Sequence, residues 1–159
     1  MAKDLERAEF RKKLLQARKD NVQKEILARQ RKRIEERNKE LKKEKIVDLA
    51  LYIFELLDEA VRITKKSHST CDYRVAKNVD SKITFVVLLQ KQKTVGNLCI
   101  DVFAHEVRVY RANFFSIRSI DDAVYHSEKP RELFYDLLAV AKNKQSIANV
   151  LAEYIGRFV

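Results

Sequence analysis

The sequence predicts an α+β protein with a long basic N-terminal helix, a core helix, an about four-stranded and mostly antiparallel sheet, and a C-terminal helical hairpin. Three observations lead to this prediction. Residues 4–45 contain neither Gly nor Pro and consist mainly of residues that favour helices. Short apolar runs with strand character occupy much of residues 73–109. After Pro130, apolar residues return at helical spacing.

Charge is distributed unevenly along the 159 residues. Residues 1–46 hold 17 Lys/Arg and nine Asp/Glu, a net charge of +8, whereas residues 47–159 hold 16 and 14, a net charge of +2. The strong apolar pattern begins at Ile46. We therefore expect an N-terminal arm at residues 1–45 and a globular α+β domain at residues 46–159. A basic arm beside a nearly balanced domain favours a polyanionic partner, such as nucleic acid or an acidic protein surface.

No stretch of the sequence has the apolar core of a signal peptide or the length of an apolar membrane span. The most hydrophobic run, Ile46–Ile63, is interrupted by four acidic residues. Cys71 and Cys99 are too few for a disulfide framework. We expect a soluble intracellular protein, cytoplasmic or located in a nucleoid or nucleus, that does not bind membranes.

The arm has two helix-start signals. Asp4 can cap the first turn, because its carboxylate accepts hydrogen bonds from backbone N–H groups that have no partner inside the helix. Asp20, followed by Asn21-Val22-Gln23, has the form of a second cap, so a break near Asp20 is an open alternative. Whether the arm continues unbroken into the next helix is also left open.

The basic side chains of the arm are the candidate nucleic-acid-binding residues. A helix can lay such side chains along a phosphate backbone, and each neutralised phosphate releases counterions. Arginine suits phosphates and base edges because its planar group donates in pairs. The candidates are Lys12, Lys13, Arg18, Arg29, Arg31, Lys32, Arg33, Arg37, Lys39, Lys42 and Lys43. The cations surround the helix and alternate with nine acids, so a charged helix that only stabilises itself is an equal alternative.

The arm also carries a thin apolar stripe. Leu27, Ile34 and Leu41 repeat every seven residues as in a coiled coil, but the positions three residues further on are polar. Phe10 and Leu14 form a second patch on another side. We expect these residues to contact a protein partner or a second copy of the chain. The rival function is therefore a structural or inhibitory protein-interaction module that docks or self-associates through this helix.

The first half of the globular domain predicts a helix followed by strands. Ile46–Ile63 is apolar on most sides, which predicts a core helix buried over most of its circumference. A short strand at Tyr73–Ala76 precedes a central strand at Ile83–Leu89. Turns are expected at Asn78–Ser81 and at Lys91–Asn97, the second with Gly96 at a positive φ.

The second half contains one change of parity and one helical hairpin. The inward-facing residues change parity between Val102 and Val107, which favours a tight turn at Ala104–Glu106 over a bulge. This gives strands near residues 98–104 and 106–112, and a last extended piece is predicted at Phe114–Ile117. Residues 130–141 and 144–155 then show the apolar spacing of two helices, which predicts the hairpin.

No residue pattern indicates a catalytic, cofactor-binding or metal-binding site. His68 and Cys71 supply only two of the ligands that zinc needs. Gly96 is the single glycine before residue 156, which excludes glycine-rich phosphate loops. The pair Asp121-Asp122 is more typical of a turn than of acid/base chemistry. We expect a non-enzymatic adaptor that uses its domain to dock on itself or another protein and its arm to engage nucleic acid or a nucleoprotein machine.

Overall fold

A computed structural model describes residues 2–113 and 117–159. The elements in chain order are helix α1 (Ala2–Lys66), strands β1 (Thr70–Val79), β2 (Lys82–Lys91), β3 (Thr94–Val102) and β4 (Val107–Ala112), helices α2 (Ile120–Ser127) and α3 (Arg131–Phe134), strand β5 (Tyr135–Ala141), helix α4 (Lys144–Ile155) and a 3₁₀ turn (Gly156–Phe158). The chain divides into two compact units, Met1–Leu41 and Lys42–Val159.

The first unit is helical throughout its described residues, which confirms the predicted long N-terminal helix. Every described side chain in it is exposed. The helix does not break at Asp20; instead the Gln16 side-chain amide donates a hydrogen bond to the Asp20 carboxylate, at 3.1 Å. Without Gly or Pro in this stretch, nothing interrupts the backbone hydrogen bonds between successive turns.

The second unit is built on an antiparallel sheet with strand order β1-β2-β3-β4-β5. The α+β class is confirmed, with five strands rather than about four. The buried central strand predicted at Ile83–Leu89 lies within β2. The turn predicted between β3 and β4 is also confirmed, since Val102 pairs with Val107 and the Phe103 N–H donates to the Glu106 carbonyl at 2.9 Å.

One face of the sheet is covered by α4 and by the part of α1 that follows Ile46. That part of α1 buries residues three or four apart, including Ile46, Ile53 and Leu57. The prediction of burial around most of the helix was wrong, because Leu51 is 58% exposed and Val47 50%. From α4, Ile147, Leu151 and Ile155 enter the same core, as their spacing predicted.

The opposite face of the sheet is covered over β1 and β2 by α2. The Ser119 hydroxyl caps this helix by accepting a hydrogen bond from the Asp122 N–H, at 3.1 Å. Ala123 of α2 packs with Val86 and Cys99 in a second, smaller apolar cluster. Ile117 is also buried there; it belongs to no strand, and residues 114–116 of the extended piece predicted at Phe114–Ile117 lie outside the described residues.

The predicted helical hairpin has only its second helix in full. The first is reduced to the single turn α3, and Tyr135–Ala141 pairs with β4 as an edge strand. The register of this pair shifts between Val109 and Tyr110, which leaves Leu138 without a partner. Because Leu138 is an extra residue in β5, apolar and polar side chains do not alternate regularly around it. The segment therefore has the apolar spacing of a helix rather than that of a strand.

The turn between β2 and β3 also differs from its prediction. Lys91 pairs with Thr94, so the connection is the two-residue turn Gln92-Lys93, and Gln92 has the positive φ, 56°. Gly96 lies within β3 and does not have a positive φ. Its lack of a side chain serves a close contact instead, because a Cβ there would stand 2.3 Å from the Phe158 ring.

Candidate functional site

The basic residues of the arm are divided between the two units. Lys42 and Lys43 begin the second unit, and the Lys43 ammonium forms an ion pair with Asp80 at 3.1 Å. All the others lie in the first unit, where each is exposed. Within the described part of that unit, no ion pair engages their charged groups.

An unbroken helix places some of these cations in one row. Residues seven or eleven apart lie nearly two or three full turns apart and therefore face the same side. Arg7, Arg11, Arg18, Arg29 and Lys32 fall within about 60° of one another on this count, and we call them the basic row. It extends over about 38 Å of helix. Glu25 is the one acid in the same sector between its ends.

The sequence candidates included three members of this row and omitted Arg7 and Arg11. The periodicity needed to find these two was present in the sequence, but it depends on the helix continuing through Asp20. The other basic candidates of the first unit lie outside this row; they are Lys12, Lys13, Arg31, Arg33, Arg37 and Lys39.

The apolar candidates of the arm are exposed as well. Leu27, Ile34 and Leu41 are 52%, 60% and 45% exposed, and Phe10 and Leu14 are 65% and 55% exposed. A helix that leaves so many large apolar side chains in water has surface available for a packing partner. The basic and apolar candidates of the first unit are therefore all exposed side chains of one helix.

The second unit contains a buried ionic cluster that the sequence did not predict. Asp101 of β3 is 3% exposed and faces the sheet surface that α2 partly covers. Arg131 of α3 donates to both its oxygens, from Nη2 to Oδ1 at 3.0 Å and from Nε to Oδ2 at 3.3 Å. Thr84 donates its hydroxyl to Oδ1 at 2.6 Å. The cluster fixes α3 to the middle of the sheet.

Arg131 is held from several directions. Its Nη1 group donates to the Ser127 carbonyl, and its guanidinium lies 5.8 Å from the ring centres of both Tyr110 and Tyr135. Burial lowers the pKa of Arg131, but its hydrogen bonds to Asp101 and its attraction to that carboxylate help to outweigh this effect, and the pKa is raised. The signal that could have revealed the cluster is a single acid, Asp101, in the otherwise apolar run Leu98–Phe103.

The cysteines and acids considered from the sequence have structural surroundings. Burial, helped by Asp72, raises the pKa of Cys71 to about 11, and burial raises that of Cys99 to about 12, so both thiols stay protonated at neutral pH. Asp121 pairs with Arg74 at 2.6 Å in the first turn of α2, where the helix dipole favours an acid.

The described residues contain neither a candidate metal site nor a membrane-spanning helix. Histidine, cysteine and acidic side chains do not gather there in groups of three or more that could hold a metal ion. None of the helices in residues 2–113 and 117–159 is both long and apolar enough to cross a bilayer. Comparison of the chain with protein-family models, with curated proteins and with solved structures finds no match.

Proposed function

We propose that this chain is a non-enzymatic binding protein whose arm engages nucleic acid or a nucleoprotein. The observation that carries the proposal is the basic row, five cations on one side of an exposed, unbroken helix. Because these side chains are exposed, a partner can reach them. A phosphate backbone supplies the complementary charge at regular intervals along a line.

The physical basis of binding is counterion release. Each phosphate that a Lys or Arg neutralises releases condensed counterions, so the logarithm of the binding constant falls by about 0.9 per contact for each decade of salt on duplex DNA. The proposal therefore predicts a steep salt dependence. It makes no prediction about recognition of a base sequence, because contacts to phosphates carry no sequence information directly.

The test compares two triple variants of the full chain on a fluorescent duplex. Arg11→Gln, Arg18→Gln and Arg29→Gln remove three charges from the basic row. Lys66→Gln, Lys93→Gln and Lys142→Gln remove three exposed charges from the second unit and serve as the matched control. We expect the row variant to lose about tenfold or more in affinity and about three units of salt slope, and the control to change little. Equal losses, or no binding by the full chain at low salt, would overturn the proposal.

A third triple separates the basic row from the total charge of the arm. Lys12→Gln, Lys19→Gln and Arg37→Gln remove the same charge from a side of the helix about 100° away. We expect a smaller loss of affinity than in the row variant. If both triples on the helix lose affinity equally, the helix acts as a diffuse charge and the row has no special role.

The apolar stripe favours a second candidate function, a protein-interaction module. Leu27, Ile34 and Leu41 are spaced by seven and half exposed, as expected of a helix that packs against another helix. Replacing all three by Gln keeps the helix propensity and removes the apolar contact. If the arm mediates assembly through this stripe, sedimentation will show a smaller species for this variant than for the wild-type chain. The double variant Phe10→Gln and Leu14→Gln tests the second patch in the same way.

A further inference from the structure

A polar pocket in the second unit is lined by four basic side chains. It lies where the end of α2 and the start of α3 meet β1 and β2, and its volume is about 540 Å³. Lys77 comes from β1, Lys82 from β2, Lys129 from the loop after α2 and Arg131 from α3. No local sequence pattern indicates this pocket, because its basic residues are up to 54 positions apart.

The charges around this pocket do not cancel. Glu128 is the one acidic side chain in its lining, and Asp101 lies buried beside Arg131. Four cations against these two acids leave a net charge of +2. The Lys82 side chain is 24% exposed, and its nearest acidic oxygen, on Asp101, is 3.9 Å away, beyond hydrogen-bond distance.

The Lys82 side chain is therefore only partly buried, and its ammonium keeps N–H groups for a ligand, because its 3.9 Å ion pair with Asp101 is longer than a hydrogen bond. Asp101 is already committed to Arg131 and Thr84, each at a shorter distance. A partly buried cation in this position gains from an anion that brings its own acceptor oxygens. The pocket lies open beside it.

The walls of the pocket are held in place. Arg131 is fixed by its two contacts with Asp101 and by two flanking tyrosine rings. Three of its five N–H groups are used in these contacts and in the one to Ser127, which leaves two for a ligand. Lys129 lies over the Tyr125 ring at 4.8 Å. The bulge between Val75 and Lys77 shifts the register of β1 where it borders the pocket.

We propose that this pocket binds a phosphate monoester or inorganic phosphate, with Lys82, Lys129 and Arg131 as the donors to its oxygens and Lys77 at the entrance. A dianion matches the net charge of +2, and tetrahedral oxygens can accept from several ammonium and guanidinium groups at once. The site stands apart from the proposed function of the arm, because its ligand is small and its residues belong to the second unit.

The test is a titration of the isotope-labelled full chain, followed by amide NMR shifts at pH 7.5 and constant ionic strength. The probe is inorganic phosphate, and sodium chloride is the control titrant. We expect saturable shifts at residues 76–82 and 127–131 with phosphate and not with chloride. Weak, linear shifts spread over all basic segments would overturn the proposal, because they would indicate only general ion attraction.

Two variants and one control locate the binding groups. Lys82→Met removes the partly buried ammonium beside Asp101. Lys129→Met removes an exposed donor that has no ion pair with Asp101, so this second variant is expected to fold normally. Lys93→Met, in the exposed turn after β2, is the control. We expect about tenfold weaker phosphate binding in each pocket variant. Unchanged binding in a folded Lys129→Met variant, together with unchanged binding in Lys82→Met, would contradict the assignment.

A second series of titrations distinguishes which phosphate-containing ligand the pocket binds. A nucleoside 5′-monophosphate and ribose 5-phosphate are titrated beside inorganic phosphate under the same conditions. Tighter binding of the nucleotide than of both others assigns a nucleotide or nucleic-acid end to the site, and equal binding of all three assigns the free anion. The same three ligands are also titrated into the basic-row variant. If the two sites are separate, this variant loses nucleic-acid binding but binds the three ligands as the wild-type chain does.

Discussion

Arg131 donates two hydrogen bonds to the carboxylate of Asp101, which lies 30 residues earlier in the chain and is almost completely buried. The pair joins the single-turn helix α3 to the third strand of the sheet. Taking two charges out of water is costly, and their attraction offsets that cost only if the geometry is good and the remaining donors are satisfied. Here Thr84 and the Ser127 carbonyl supply the additional contacts.

Removing the carboxylate from this pair is predicted to destabilise the fold strongly. Asp101→Ala leaves Arg131 and Lys82 near a low-dielectric site without their shared counter-charge, so we expect a loss of about 3–5 kcal/mol in the free energy of unfolding. The control is Glu106→Ala, which breaks the exposed pair with Arg108 and is expected to cost much less, because water screens that pair. Urea unfolding measures both, and similar losses in the two variants would refute the role of the buried pair.

The two glycines of the chain are predicted to respond differently to alanine. A Cβ at Gly96 would meet the Phe158 ring at 2.3 Å and 2.8 Å, so Gly96→Ala is expected to cost about 1–3 kcal/mol through overpacking. Gly156 has helical dihedral angles and open space, so Gly156→Ala is expected to stabilise the protein by about 0.4–1 kcal/mol. Thermal unfolding compares them.

A double variant confirms the cause of the Gly96 effect. Phe158→Ala removes the ring that the new methyl group would meet. If the clash is real, adding Gly96→Ala to Phe158→Ala costs less than adding it to the wild-type chain. Equal costs in both backgrounds would show that the ring is not the obstacle.

The free energy of unfolding is predicted to fall at alkaline pH, because the thiol of Cys99 is buried. Burial raises the pKa of Cys99 from 9.0 to about 12, so above pH 9 the unfolded chain releases this proton while the folded chain keeps it. The stabilisation is complete below pH 9 and falls as the pH rises toward 12, by at most about 1.4 kcal/mol per pH unit for one group. Chemical unfolding between pH 8 and 10.5 measures this slope.

Cys99→Ala is the variant for this measurement. Its absolute stability is expected to be lower because it leaves a cavity, but its loss of stability with pH is expected to be shallower. Cys71, whose burial raises its pKa to about 11, retains its own contribution in that variant. Identical pH slopes for the two proteins would mean that Cys99 ionises as readily in the fold as in the unfolded chain.

A glycine at position 92, in the turn between β2 and β3, is predicted to stabilise the protein. Gln92 has a φ of 56°, a conformation that costs a residue with a Cβ about 1–2 kcal/mol. Gln92→Gly removes this cost, but glycine loses more conformational entropy on folding, which costs about 0.5–1 kcal/mol. We therefore expect the free energy of unfolding to rise by about 0.5 kcal/mol. Lys93→Gly, next to it and without a positive φ, is expected to destabilise. A loss of stability in Gln92→Gly would contradict this account of the turn.

The elements with long, regular patterns were predictable from the sequence, and those decided by pairing were not. The helical arm, the apolar spacing of Ile147, Leu151 and Ile155, and the turn between Val102 and Val107 all follow from local periodicity. Strand β5 was mistaken for a helix because its bulge at Leu138 removes the alternation that identifies strands. Only its hydrogen bonds with β4 reveal its conformation.

The candidate sites divide in the same way. The cations and apolar residues of the arm could be named from the sequence, because the surface of an exposed helix consists of its own side chains and depends on no tertiary contact. The basic row needed the added fact that α1 is unbroken at Asp20. The pocket near Asp101 could not be predicted, since Lys77, Lys82 and Arg131 come together only through the pairing of β1 with β2 and the position of α3.

The most direct measurement for the arm is chemical footprinting of Lys and Arg side chains in the full chain, with and without a short nucleic-acid duplex, read residue by residue by mass spectrometry. The account predicts protection along the basic row, including Arg18, Arg29 and Lys32, and unchanged reactivity at the exposed Lys93 and Lys142. Protection confined to the second unit, or a bound complex in which the row reacts as fast as in the free chain, would contradict it.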